Sequence, residues 1–297
     1  MARSRVGMIG LGIMGSAMAA NLVKGGFEVI GCDPVAACRA RHRKAGGVVA
    51  SSATEVARST DILITTLPSA KALALVAMEI ASVKTPRHVI IETSTLPIPV
   101  KEEARKVLAK AGSTLLDCPL SGTGAQARTK DLIVYASGPR AAIRRCLEVF
   151  DGFARGHYDL GRFGNGSKMK FAANLLVAIH NVSAAEAILL ARKSGLNAAL
   201  AVKVLGDGAG SSRMLQVRGP MMAKRAYGNA TMKVEVWQKD MQIIGDFLKV
   251  LGSPAPLFDA SKAVYDAAMK MGLAKADTAS VCAVLEAGAP RKTKRKR

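Results

Sequence analysis

Apolar residues in this chain come in short blocks separated by turn residues. Val6-Gly7-Met8-Ile9 is a short apolar run, and apolar residues recur at helical spacing from Ser16 to Lys24. A second run, Phe27 to Cys32, ends at Asp33. Further runs predict buried strands at Ile62 to Thr66, His88 to Glu92, Thr114 to Asp117 and Leu132 to Ser137. Strand-like and helix-like segments alternate in this way to about Leu160, which predicts an α/β fold with a parallel sheet covered by helices. After Gly166 the pattern changes. Ser167 to Ser194 contains no Gly or Pro, is rich in Ala and Leu, and reads as one long helix. Beyond Gly195 the chain reads as mostly helical, broken near Gly206 to Gly210, Gly219-Pro220 and Gly252 to Pro256. The pattern therefore predicts a doubly wound N-terminal domain over 1–162 and an all-helical domain over 163–289. Residues 290–297 read as a disordered basic tail.

Composition adds constraints. Hydrophobic residues make up 49% of the chain but aromatics only 4%, so the core must be built from Ala, Val, Leu, Ile and Met. No apolar run is expected to span a bilayer, and a strand starting at Val6 leaves no room for a signal peptide. The five cysteines, Cys32, Cys38, Cys118, Cys146 and Cys282, are scattered and form no Cys-x-x-Cys pair. They read as reduced thiols of a cytoplasmic protein, neither a disulfide framework nor a zinc site. None of the four histidines has metal-ligand spacing, so no metal is expected. The net charge is +21, with six positive charges in the last seven residues, Arg291 to Arg297, and a second cluster at Arg39, Arg41, Arg43 and Lys44. Such a surface attracts anions, from small carboxylates to nucleic acid. The simpler reading is a solvated surface and a frayed tail. No aromatics interleave the tail, so base stacking has no support and nucleic acid is not an expected partner.

The sharpest chemical signal lies where the first strand meets the first helix. Gly10-Leu11-Gly12-Ile13-Met14-Gly15 stands between them, and Asp33 closes the next strand. This is the order of a dinucleotide-binding unit. Gly10 permits the tight turn, Gly12 lets the backbone approach a pyrophosphate, and Gly15 lets the helix pack close to the strand. The free N–H groups at the helix start then face the anion. Asp33 sits where an acid accepts hydrogen bonds from the adenosine ribose, which predicts NAD in preference to NADP. The cluster Arg39, Arg41 and Arg43 is the counter-signal.

Three other segments carry candidate chemistry. Asp117-Cys118-Pro119-Leu120-Ser121-Gly122-Thr123-Gly124 takes a strand end into a small-residue loop suited to a carboxylate, although alone it is an ordinary turn. In Gly164 to Asn174, Lys170 and Asn174 lie four apart on one helix face near its N-terminus. The partial positive charge there should lower the lysine pKa and improve it as a proton carrier. Taken alone, a lysine on a helix is usually solvated. Trp237-Gln238-Lys239-Asp240 likewise reads alone as helix surface.

Together, in this order, the four motifs resemble the β-hydroxyacid dehydrogenase family, part of the 6-phosphogluconate dehydrogenase superfamily, which includes 3-hydroxyisobutyrate dehydrogenase and tartronate semialdehyde reductase. The resemblance runs from Val6 to about Leu285. It implies a Rossmann-type domain, a long linking helix, a helical domain, and assembly as a homodimer or homotetramer. It implies Lys170 as catalytic acid/base, with Asn174 orienting substrate or lysine. Ser121 and Gly122 would bind the substrate carboxylate, with Thr123 beside it. Leu67, Pro68, Thr95 and Lys239 would contact the cofactor, as would the turn Gly10, Leu11, Gly12, Ile13, Met14 and Gly15.

Three departures stand out. Thr123 occupies a position that is often a second glycine. Ala125-Gln126-Ala127-Arg128 departs from the usual Gly-Ala pattern, and Glu92 replaces the aspartate of an Asp-x-Ser-Thr motif. The expected activity is NAD(P)-dependent interconversion of a short 2- or 3-hydroxy acid and its oxo acid or semialdehyde. The rivals are an imine reductase-like enzyme, whose relatives typically carry Asp or Tyr at the lysine position, and a non-catalytic nucleic-acid-binding module with a basic tail.

Overall fold

The computed structural model describes residues 4–83 and 88–288, so the basic tail expected at 290–297 lies outside the described residues. The chain divides into two compact units, Met1–Lys170 and Phe171–Arg297. The domain boundary expected from the sequence falls earlier, near residue 162.

In the first unit the strands are β1 (Arg5–Ile9), β2 (Glu28–Cys32), β3 (Val48–Val49), β4 (Ile62–Thr65), β5 (Val89–Glu92), β6 (Thr114–Asp117), β7 (Leu120–Ser121), β8 (Ile133–Ala136) and β9 (Gly156–Asp159). Six of them form one parallel sheet in the order β3-β2-β1-β4-β5-β6. This is the strand order of a doubly wound dinucleotide-binding sheet. Its crossovers are α1 (Ile13–Lys24), α2 (Ala36–Lys44), α3 (Ala53–Ser59), α4 (Ala70–Ala81) and α5 (Ile98–Lys110). Because side chains alternate across a strand, neighbours go to opposite cores. Met8, Ile64, Ile91 and Leu116 pack on one face with Met18 and Leu22 of α1. Ile9, Leu63, Ile90 and Leu115 pack on the other with Leu73 and Ile80 of α4. Burial on both faces is why these strands read as continuous apolar runs.

The run Leu132 to Ser137 was expected to join the parallel sheet. Instead β8 pairs antiparallel with β7 and parallel with β9 in a separate three-stranded sheet. Only the short helix α6 (Gly124–Arg128) separates β7 from β8, which is too little chain for a parallel crossover. Helices α7 (Arg140–Arg145) and α8 (Leu147–Phe153) complete the unit before α9 (Asn165–Lys193) begins.

Helix α9 runs on into the second unit, with α10 (Ala198–Asp207), α11 (Arg213–Lys224), α12 (Val234–Leu251), α13 (Pro256–Lys270) and α14 (Val281–Gly288). Asn181 of α9 is fully buried there and donates to the Tyr265 hydroxyl (3.0 Å) and to the Thr278 carbonyl (2.8 Å). Two expectations are corrected. By length and composition α9 is long and apolar enough to cross a membrane, although no such run was expected. Gly219-Pro220 does not break a helix but lies inside α11. Buried Gly219 packs against Val202 of α10, and that close helix contact carries α11 through the proline.

Candidate active site

The parallel sheet brings the predicted residues together because each follows the carboxyl end of a strand. Gly10 follows β1, Asp33 follows β2, Leu67 and Pro68 follow β4, Thr95 follows β5 and Cys118 follows β6. In open α/β sheets ligands bind in the crevice outside these ends.

At the first crossover, Gly10 has φ +93° and its N–H donates to the Cys32 carbonyl (3.0 Å). A Cβ on Gly10 would lie 2.3 Å from the Thr66 carbonyl oxygen, and one on Gly15 would lie 1.9 Å from that of Gly10. Around Gly12 the space is open, with nothing within 4 Å of a Cβ position. The N-terminus of α1 has no side-chain cap. Its first N–H groups are therefore free for an anion. Ile13, at the same helix start, is 73% exposed. This cradle fits a pyrophosphate.

Asp33 closes the cradle. Its Oδ2 accepts from the Leu11 N–H (2.7 Å) and its Oδ1 from the Val35 N–H (2.8 Å). Arg39 folds back from α2, donating to the carbonyls of Asp33 (2.7 Å) and Pro34 (2.9 Å). At the next strand ends, the Leu67 N–H donates to Ser94 Oγ (2.7 Å) and the Ser94 N–H to Glu92 Oε1 (2.7 Å). Glu92 Oε2 accepts from the Thr65 hydroxyl.

The expected substrate loop is pinned at both ends. Ser121 lies in β7 opposite Ile133 of β8. The Thr123 N–H donates to Gln126 Oε1 (3.0 Å), and Gln126 Nε2 donates to Asp131 Oδ2 (3.0 Å). Thr123 and Gln126, two of the departures from the family pattern, thus support one another. Lys170 reaches this loop from α9, its Nζ donating to the Leu120 carbonyl (2.6 Å).

The start of α9 is tied down from below. Asp117 Oδ2 accepts from the Ser167 N–H (2.7 Å) and Oδ1 from the Ser167 hydroxyl (2.8 Å), while the Gly166 N–H donates to Ser137 Oγ (2.9 Å). A Cβ on Gly166 would lie 2.4 Å from the Tyr135 carbonyl oxygen and 2.5 Å from that of Asp117, so only glycine fits. Asp117 Oδ1 also accepts from Lys101 Nζ (2.8 Å), which stands 3.9 Å from Glu92 Oε1. All three side chains are 0% exposed.

In the helical unit, Asn174 Nδ2 donates to Asp240 Oδ2 (2.9 Å), and Lys239 Nζ stands 3.5 Å from Asp240 Oδ1. Asn174 and Asp240 are buried, whereas Lys239 is exposed. Asp240, Gln126 and Lys101 are among the residues in these networks that were not anticipated. Asp240 stood beside Lys239 in a motif already singled out. Gln126 was visible only as a departure from pattern. Lys101 had a readable signal, since it shares the i, i+3, i+7 buried face of α5 with Ala104 and Leu108.

The chain is similar to known proteins over almost its whole length. Residues 5–163 match the NAD-binding domain of 6-phosphogluconate dehydrogenase, and residues 164–285 match a domain described as the NAD-binding part of NADP-dependent 3-hydroxyisobutyrate dehydrogenase. An L-threonate dehydrogenase of Cupriavidus necator is 31% identical, over 93% of this chain and 94% of that protein. A mitochondrial 3-hydroxyisobutyrate dehydrogenase of Mus musculus is 30% identical, over 94% of this chain and 86% of that one. The crystal structure of a 3-hydroxyisobutyrate dehydrogenase from Salmonella typhimurium superposes with a TM-score of 0.85 at 28% identity, covering 95% of this chain and 99% of that one.

Proposed function

Because the chain belongs to the β-hydroxyacid dehydrogenase family of NAD(P)-dependent oxidoreductases, we propose that it interconverts a short 2- or 3-hydroxy acid and its oxo acid or semialdehyde. The observation that carries this reading is Lys170 Nζ, 2.6 Å from the Leu120 carbonyl and one residue from Ser121. That contact supports reading Lys170 as a proton carrier beside the loop that would hold the substrate. The glycine cradle and the strand ends at Leu67, Pro68 and Thr95 would hold NAD(P), which would supply the hydride transfer. Ser121 and Gly122 hold the substrate carboxylate. Lys170 takes the hydroxyl proton as the alcohol becomes a carbonyl, and returns it in the reverse direction. Asn174, one helical turn further along α9, orients the substrate, and Lys239 contacts the cofactor. Thr123, fixed by Gln126, narrows the loop and so selects a short acid.

We assign NAD as the preferred cofactor. The Asp33 carboxylate already holds two backbone N–H groups and keeps lone pairs for ribose hydroxyls, whereas a 2′-phosphate would face its charge. Arg39, held on the Asp33 and Pro34 carbonyls, is the group that would oppose this preference. In this reading residues 1–162 bind the dinucleotide, and residues 163–289 serve the substrate and assembly into a homodimer or homotetramer. A cytoplasmic location accords with five buried, free cysteines.

The test is cofactor reduction by the purified protein with 3-hydroxyisobutyrate, L-threonate, glycerate and 3-hydroxypropionate. Turnover of at least one acid is expected. Turnover of cyclic imines alone, or a salt-sensitive DNA mobility shift with no turnover of any acid, would overturn the reading.

A further inference from the structure

A continuous chain of contacts runs through unit one from the Leu67 loop to Lys170, and a buried lysine stands at its middle. The Leu67 N–H meets Ser94, and Ser94 meets Glu92 (both 2.7 Å). Glu92 faces Lys101 (3.9 Å), and Lys101 bonds Asp117 (2.8 Å). Asp117 then caps α9 through the Ser167 N–H and hydroxyl, one turn before Lys170 meets the Leu120 carbonyl. We propose that Lys101 is a positioning residue that fixes the Lys170-bearing start of α9 relative to the strand-end loop at Leu67, by holding Asp117 and Glu92 on one buried ammonium.

Burying charge is costly unless it is paired and hydrogen-bonded. Here one cation answers two carboxylates, and the N-terminus of the 29-residue α9 faces the remaining negative charge on Asp117. Every other acceptor position that the contacts reveal on these carboxylates is committed to Ser94, Thr65, Ser137 or Ser167. Lys101 is therefore the one cation that the described contacts place against both carboxylates. Its removal leaves two carboxylates facing each other across the vacated space, and their repulsion acts on the cap of α9. A displacement of Lys170 on the scale of an ångström costs up to about 100-fold in rate.

The proposal rests on the assignment of Lys170 as proton carrier, but its first readout does not need turnover. Two variants are compared with wild type. Lys101→Met removes the charge and keeps the stem. Lys101→Met/Glu92→Gln removes one cation and one anion, so Asp117 keeps its charge and the net charge of the network is unchanged. Hydrogen–deuterium exchange in the apo protein is expected to rise at the first turn of α9 in both variants while the rest of the sheet stays protected. With whichever hydroxy acid the wild type oxidises, kcat should fall about 10- to 100-fold with KM nearly constant. The pH limb of kcat should move upward in Lys101→Met, because uncompensated carboxylates favour a protonated Lys170.

If the double variant shows wild-type exchange at the start of α9 with wild-type kcat and pH profile, Lys101 only pays for its own burial and the proposal falls. Altered exchange with no hydroxy-acid turnover even in wild type would support the positioning role and overturn the catalytic assignment instead.

Discussion

At the scale of single residues, the site depends on where two charged groups are held. Lys170 is half-buried and donates to the carbonyl of Leu120, the residue before Ser121. Lys170→Ala is expected to fold and to bind NAD(P), since the glycine cradle is untouched, yet to lose about 10²- to 10⁴-fold in kcat. Steady-state rates beside a cofactor titration followed by fluorescence check this, and near-wild-type kcat would remove Lys170 from the mechanism. Asp33 is the second group. It is expected to make kcat/KM higher with NAD than with NADP at one salt concentration. Asp33→Ala should narrow that ratio, while Arg39→Ala should weaken only the use of NADP. A wild-type preference for NADP would show that the Arg39 guanidinium outweighs the carboxylate.

At the scale of elements, the structure explains both an unexpected continuity and an unexpected separation. Pro220 lies in the interior of α11, where it cannot donate to the carbonyl one turn back. The helix persists because Leu215, Arg218, Gly219 and Met222 on one face are buried, and Arg218 is paired with Asp277 (3.1 Å). Tertiary packing thus overrides a propensity cost of about 3 kcal/mol. Pro220 is itself exposed, so Pro220→Ala should stabilise the protein by about 1–3 kcal/mol, read as a higher urea midpoint at unchanged slope. A lower midpoint would mean that the proline bend is required for the contact with α10. The separation is that of β7 and β8 from the main sheet. It leaves Ser121 on a short ribbon rather than at a sheet end, with Gln126 and Asp131 bracing the turn beside it.

At the scale of the whole molecule, buried titratable groups set how stability depends on pH. Burial lowers the pKa of both His42 and His88, which lie 2% exposed in the first unit. A group whose folded pKa is depressed binds its proton more readily when unfolded. Its contribution is therefore intact above the unfolded value of about 6.5 and is lost as pH falls below it. In the helical unit, burial pushes Asp277 up, but Arg218 and the N–H donors of Ala279 and Met232 outweigh it and hold the carboxyl below its usual range. That contribution is lost only as pH falls further, below about 4. The melting temperature should accordingly drop between about pH 7 and pH 5, and drop again in stronger acid. His42→Gln should shrink the first step, with His88 keeping the rest, and leave the second. An unchanged first step in that variant would show that His42 does not carry it.

Much of this was legible in the residues. The doubly wound sheet followed from apolar runs between helical spacings, because strands buried on both faces can carry no polar alternation. The glycine cradle followed from Gly10, Gly12 and Gly15, because a Cβ on Gly10 would meet the Thr66 carbonyl and one on Gly15 the Gly10 carbonyl, while Gly12 leaves the turn open to a ligand. The long helix α9 followed from an uninterrupted stretch free of Gly and Pro. What the sequence could not supply were partners distant along the chain. Nothing local to Lys101 says that two carboxylates, one nine residues before it and one sixteen after it, converge on its ammonium. Nothing local to Asn174 points to Asp240, and nothing near Pro220 says that packing will hold its helix together. Periodicity records which side of an element is buried. Which polar groups meet there is decided only when the strands and helices that carry them are brought side by side.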